Sequence, residues 1–278
     1  MASELPPILT AHLFPPLERL LSELLASLSE NEWEAQTIAP QWKVKDVAAH
    51  LLDTQLRKLS LVRDGYAREK PAIGSPAEFV AFINRLNREG VGVYGRLSPA
   101  VLISLLEFSA RAAAQHQFTL HPFAPAMFAV SWAGESESLN WFDTARELTE
   151  RWHHQQQIRE AVGRPGIMTR ELYHPVLDCF MRGLPYRYQS LPAPQGSLLR
   201  FDISGDCGGT WWLQRRPDGW NLLANPGAEP LSQTTIPQEI AWRIFTKGID
   251  PAEAEKRVTV AGARELGCHI LGMTAIVG

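Results

Sequence analysis

The 278-residue sequence holds only three cysteines. Cys179, Cys207 and Cys268 lie far apart, with no CxxC pair and no even set. That excludes a disulfide framework and a cysteine zinc site, and it leads us to expect reduced thiols in the cytoplasm. Long apolar runs are also missing. No stretch reaches the roughly 18 apolar residues of a membrane span. The opening MASELPPILTAHLFPPLERLL has no basic start followed by an unbroken apolar core, so no signal peptide is expected. Nor does charge of one sign accumulate: 27 Lys and Arg against 30 Asp and Glu give a formal net charge of -3. Such a balance makes no field that would draw nucleic acid or an anionic membrane, and neither is expected as a partner. There is no internal repeat and no low-complexity tract. Apolar residues at 45% and charged residues at 21% are those of a soluble globular protein. The length suits one large domain or two ordinary ones.

The first two thirds read as helices. Residues 14–28 place Leu17, Leu20, Leu21, Leu24, Leu25 and Leu28 at helical spacing, with Pro15 and Pro16 in the first turn. Residues 42–66 carry Val44, Val47, Ala48, Leu51 and Leu52 on one face and end near Gly65. Ser75-Pro76 with Glu78 predicts a helix start with a capping box, and Ser98-Pro99 repeats the start. A loop over 119–138 precedes a long helix from about Asn140 to Val162, stopped by Gly163. A shorter helix is predicted around 168–183. LPYRYQSLPAPQGS then reads as a linker. Beyond it, SLLRFDISG and GTWWLQRRPDGWNLLAN read as strands around a Pro217-Asp218-Gly219 turn. PQEIAWRIFTKG reads as a helix, AEKRVTVAG as a strand and ARELGCHILGMTAIVG as a final helix. We therefore expect an all-α bundle over residues 1–185 and a small α+β domain over 186–278.

One helix carries the sequence ERWHHQQQIREA. Glu150 and His154, at i and i+4, lie about 40° apart on the helical wheel. Their stripe continues into Ile158, Ala161 and Val162, and His153 is read as pointing elsewhere. On the second helix, His50 sits beside the apolar stripe in VAAHLL. Polar side chains facing inward from adjacent helices build the sites of helical bundles. Two imidazoles and one carboxylate would hold a divalent metal with one coordination position open, the pattern of a catalytic site. The same residues also fit a plainer account: a core histidine with one hydrogen bond, and a surface Glu–His pair.

Read together, QTIAPQ and WKVKDVAAHLLD, FINRLN and ELTERWHHQQQIREAVG resemble the DinB-like superfamily, and within it the mycothiol-dependent maleylpyruvate isomerase branch. The likeness covers about residues 10–165. It implies a four-helix bundle with a divalent metal held by a histidine of the second helix and an (E/H)xxxH pair of a later one. Those positions fall on His50, in the context of Trp42, Asp46 and Val47, and on Glu150 and His154. The doublet followed by Gln157 and Ile158 is similar to the HH..QI of DinB proteins, in which the second histidine is the ligand. The layout after FDISG resembles the sterol-carrier-like domain appended in the isomerase branch. One departure stands out: the branch commonly has an aspartate three residues after the ligand histidine, where this chain has Gln157.

The resemblance implies a low-molecular-weight thiol, such as mycothiol, as cofactor. The thiol would add to a cis double bond, allow rotation and leave, or stay attached in a transfer. Zinc suits the ligand set best, and nickel, manganese or iron(II) would also fit. The expected function is thus a metal-dependent, thiol-using isomerase or S-transferase acting on a small electrophilic substrate. A hydrolase using the same ligands and a non-catalytic protein holding a small ligand are the rivals. Arg243 and Lys247, on one helix face, are candidates for an anionic substrate or thiol carboxylate, and also fit a solvated face. Of Trp211 and Trp212, one is expected in the core. His116 and His121 are read as surface residues. The cysteines have no partner base and are not expected to be nucleophiles.

Overall fold

A computed structural model describes residues 5–69 and 71–276. Proline and leucine set the first helix, α1 (Phe14–Ala26), which buries Phe14, Leu17, Leu21, Leu24 and Leu25. A one-turn helix α2 (Glu30–Trp33) is closed by a capping box between Ser29 and Glu32. α3 (Val44–Lys58) follows and widens into a π turn over Leu59–Arg63 before Gly65, whose φ of 67° ends it. α4 (Pro76–Tyr94) and α5 (Pro99–Thr119) start as predicted, with the Ser75 and Ser98 hydroxyls accepting from the N–H groups of Glu78 and Val101. The predicted capping box at Ser75 is only half formed, because the Glu78 carboxylate accepts from the N–H of Gly74. α6 (Asn140–Ala161) stops at Gly163, with φ 64°. α7 (Arg170–Met181) ends the helical part. α1, α3, α5 and α6 pack into a bundle around Leu21, Leu25, Val47, Leu51, Leu102 and Ile158, and α4 lies along α3.

The expected linker begins as part of the core. Leu184–Tyr188 forms a helical turn, α8, with Leu184 and Tyr188 buried and the Tyr188 hydroxyl donating to the carbonyl of Leu266. Then come β1 (Leu198–Ser204), β2 (Gly209–Arg216), β3 (Gly219–Leu223) and β4 (Ser232–Pro237). α9 (Gln238–Phe245), α10 (Pro251–Glu255), β5 (Thr259–Gly262) and α11 (Arg264–Cys268) complete the chain. The sheet order is β3-β2-β1-β4-β5, with β1 and β4 parallel and the other pairs antiparallel. Trp211 and Trp212 face opposite sides, and both are buried. Trp211 joins the main core, while Trp212 packs with Leu198 and Leu223 under the Arg200 guanidinium.

Two expectations fail for identifiable reasons. The final helix is short: α11 passes into a 3-10 turn at His269–Gly272 and an extended tail, and residues 277–278 lie outside the described residues. β4, which no apolar alternation announces, lies inside the sheet between β1 and β5. Its inward positions are Ser232, Thr234 and Ile236, and the two small polar residues let α11 come close. The Thr234 hydroxyl donates to the carbonyl of Gly267 at 3.0 Å.

The helical and sheet parts share an aromatic junction. The Trp152 ring of α6 stacks on Tyr173 of α7, with centroids 4.2 Å apart and planes 2° from parallel. Trp242 of α9 meets Trp152 edge-on at 6.2 Å. The Trp152 indole N–H donates to the Ile167 carbonyl and the Tyr173 hydroxyl to that of Gln238, so no polar atom of this pair is stranded.

The close α11–β4 approach leaves no room at Gly267. A Cβ there would lie 2.4 Å from Val260 Cγ1 and 2.7 Å from both the Ser232 and Thr234 hydroxyl oxygens. Gly267→Ala, although it gains up to about 1 kcal/mol in helix propensity, is expected to destabilise the protein by roughly 1–3 kcal/mol through overpacking. Urea unfolding of the two proteins measures this, and an unchanged or raised midpoint would contradict the packing described.

Candidate metal centre

The α3–α6 contact is antiparallel, and its register follows from buried charges. Lys58 near the end of α3 pairs with Glu147 of α6, and Arg151 donates to Glu147 at 2.8 Å and to the carbonyl of Leu51 at 3.3 Å. Continuing down the same contact, His50 comes to face His154, with ring centroids 4.7 Å apart in an edge-on arrangement. Asp46 accepts from the N–H of Lys43 at 2.9 Å and fixes the start of α3. The preceding residue, Trp42, lies over both imidazoles, 4.6 Å from His50 and 6.0 Å from His154.

His154 Nε2 lies 3.7 Å from Glu150 Oε2, as expected of an i, i+4 pair on one face. His154 Nδ1 lies 2.9 Å from Gln157 Oε1. His50 Nδ1 is buried and has no hydrogen-bond partner. His153 does not point away as its 100° rotation from His154 suggested. It stands three residues after Glu150, about 60° to the other side of that carboxylate. Its ring centroid is 3.9 Å from that of His154, and its Nδ1 is 3.9 Å from Glu150 Oε2 and 3.1 Å from the Thr149 carbonyl oxygen. Ligand atoms of Glu150, His153 and His154 all lie within 4.8 Å of one another. The structure thus groups Glu150 and His154 with His153 rather than with His50, which meets them only through its ring contact with His154.

Burial governs the charge of the cluster. It pushes the His50 imidazole well below its ordinary value, helped by His154, and takes His153 down to about 4 and His154 to about 3. The imidazoles are therefore neutral at pH 7 and keep the lone pairs that a metal needs. Burial also raises the Glu150 carboxyl, opposed by His154 and Arg146. Glu150 keeps 29% of its side chain exposed, so it forms the open side of the cluster. A buried imidazole nitrogen without a partner, beside a second neutral imidazole and a carboxylate, is a donor set that suits a divalent cation.

A buried polar layer, which the sequence reading does not include, lies above the cluster. Burial alone would raise Glu147, yet Lys58, Arg151 and Arg146 outweigh it and hold the carboxyl well below the usual range. Gln55 bridges Glu18 of α1 and Ser109 of α5. The signal for this layer was available. α6 alternates acids and bases at i, i+3 and i+4 (Asp143, Arg146, Glu147, Glu150, Arg151) and has few apolar residues, although it is flanked by apolar helices.

The other candidates lie elsewhere. Arg243 is ion-paired with Glu160 at the end of α6, with its guanidinium 5.6 Å above the Trp242 ring. Lys247 does not share a helix face with Arg243 as expected: α9 ends at Phe245, and Lys247, at φ 59°, lies beyond it and lines a cleft of about 480 Å³ together with Ile38, Pro40 and Asp250. His121 is exposed and His116 half-buried. Burial pushes all three cysteine thiols up, away from the nucleophilic thiolate. Among the described residues, no helix is long and apolar enough to cross a membrane.

The family described as the mycothiol maleylpyruvate isomerase N-terminal domain matches residues 14–159. Among solved structures, a histidine-to-alanine variant of the mycothiol-dependent maleylpyruvate isomerase is similar over 92% of this chain and 93% of its own, with a TM-score of 0.53 and 15% identity. The crystal structure titled simply as that isomerase has the same coverage and identity, with a TM-score of 0.49. At this identity the likeness is one of fold. No curated protein sequence matches the chain.

A histidine kept neutral in the fold but free to take up a proton when unfolded lowers stability as the pH falls. For His153 the loss begins near 6.5 and is complete near 4. With chelator present, wild type is expected to lose roughly 1–2 kcal/mol more than His153→Gln between pH 7 and pH 5. Urea unfolding at both pH values checks this; equal losses would mean that His153 is not buried neutral.

Proposed function

The chain belongs to the mycothiol maleylpyruvate isomerase N-terminal domain family, and on that premise we propose that it is a metal-dependent, thiol-using isomerase of small electrophilic substrates. In this reading the helical part, residues 1–185, holds a divalent metal through His50, Glu150 and His154, with zinc the first candidate. The small α+β part is residues 186–278. The observation that carries the metal reading is the partnerless buried Nδ1 of His50 next to the neutral His154 and its neighbour Glu150.

A divalent cation in this position supplies positive charge that favours a thiolate over a thiol, and the thiolate is the form that adds to an activated double bond. The remaining work belongs to the chain. His50 and His154 offer lone pairs because burial keeps them neutral. Glu150 offers the one negative charge and stands at the solvent side, where thiol and substrate would enter. Trp42, tilted by about 40° to both histidine rings, shields part of that side. Thr149 accepts at the Nδ1 of His153 and holds that ring beside the ligands. Arg243 and Lys247 stay the candidates for an anionic group of thiol or substrate; for Arg243 this means giving up Glu160.

Purified wild type is expected to carry about one equivalent of divalent metal, and His50→Ala and His154→Ala to lose it. Turnover of maleylpyruvate is expected only with mycothiol present, and to fall by about 100-fold or more in either variant. Metal analysis and assays with and without thiol decide. Full metal content in His154→Ala would overturn the ligand assignment, and turnover without thiol would point to the hydrolase instead.

A further inference from the structure

Gln157 is buried, and its side-chain oxygen lies 2.9 Å from His154 Nδ1. An amide oxygen can only accept, so Nδ1 must carry the proton. The lone pair of the neutral ring is then on Nε2, the nitrogen on the Glu150 side. With the amide turned round, its NH₂ would donate to Nδ1, and Nε2 would carry a proton and be unable to ligate. A carboxylate at this position would fix the same tautomer but add a negative charge next to the ring. The amide does not.

We propose that Gln157 is the positioning residue that selects His154 Nε2 as the ligating nitrogen, and that it does so while leaving the centre one charge unit more positive than an acidic residue there would. This rests on the metal reading above. A divalent cation with Glu150 as the one carboxylate ligand keeps one positive charge among these groups. With a carboxylate at position 157 as well, that charge would be cancelled. The centre of this chain is therefore suited to an anion at its open position, and a thiolate is the member of that class its proposed chemistry calls for. Gln157 thereby becomes a determinant of what the centre accepts.

The tautomer can be read without any metal. In long-range ¹H–¹⁵N spectra of the metal-stripped protein, with the His154 ring assigned by its loss in His154→Gln, wild type is expected to show a protonated Nδ1 and an unprotonated Nε2. Gln157→Leu is expected to lose that preference, and Gln157→Glu to retain it. A protonated Nε2 in wild type, or an unchanged tautomer in Gln157→Leu, would overturn the positioning role. If Gln157→Leu fails to fold, the wild-type and Gln157→Glu spectra still decide between the two tautomers. The charge is read separately, by titrating azide into the cobalt-substituted protein and following the visible absorption of the metal. Azide is expected to bind about 10-fold or more weakly to Gln157→Glu than to wild type. Equal or tighter binding would overturn the charge role. A wild type that takes up no cobalt would overturn the metal reading and the charge role with it, while the metal-free spectra would still test the tautomer.

Discussion

A helix as polar as α6 can occupy the middle of a bundle only if its charges are met there, because an unpaired buried charge costs several kcal/mol. Lys58, Arg146 and Arg151 meet Glu147, Asp143 and Glu18 in one network. The network does more than neutralise itself. Arg151 reaches across to the carbonyl of Leu51 and ties α6 to a single backbone position on α3. Buried ionic groups add little net stability but penalise every register in which they are unmatched. Here that penalty falls on sliding α3 along α6, the movement that would separate His50 from His154. The ion-paired layer and the histidine layer are thus successive levels of one helix contact, and the first sets the geometry of the second.

The fold was legible in the sequence where one kind of signal dominated. Ser-Pro starts, leucine spacing and glycine stops gave the long helices to within a few residues. The Pro217-Asp218 turn gave the β2–β3 hairpin. β4 was not legible, because Ser232 and Thr234 face inward for reasons of size, and apolar alternation cannot report a strand whose neighbour requires small residues. The final helix was overcalled for the converse reason. Apolar residues near the C-terminus pack as a 3-10 turn and an extended tail against α8, α9 and α10, and burial alone does not make them helical.

The cluster shows the same division. Helical spacing is enough to bring Glu150 and His154 to one face and to set His50 beside the apolar stripe of α3, and the family pattern joins the three. His153 is rotated about 100° from His154 but only about 60° from Glu150, so the carboxylate, flanked on the wheel by both rings, is the reference that brings it in. Gln157 stood out only as a departure from a pattern. Its contact with Nδ1 depends on a rotamer and on burial between helices, which spacing does not specify. The ion-paired layer was visible as alternating charges, but its depth inside the bundle depends on how the other helices wrap around α6.

Trp42 has a consequence of an optical kind. Its indole lies 4.6 Å from the His50 ring and 6.0 Å from the His154 ring, tilted to both, and is only partly buried, so its emission is expected to respond to a change of charge there. Most of the other tryptophans sit in packed aromatic surroundings, where little changes when the cluster does. The loop that caps α3 therefore gives the protein an intrinsic fluorophore aimed at its own cluster, able to report events there in real time and without a label.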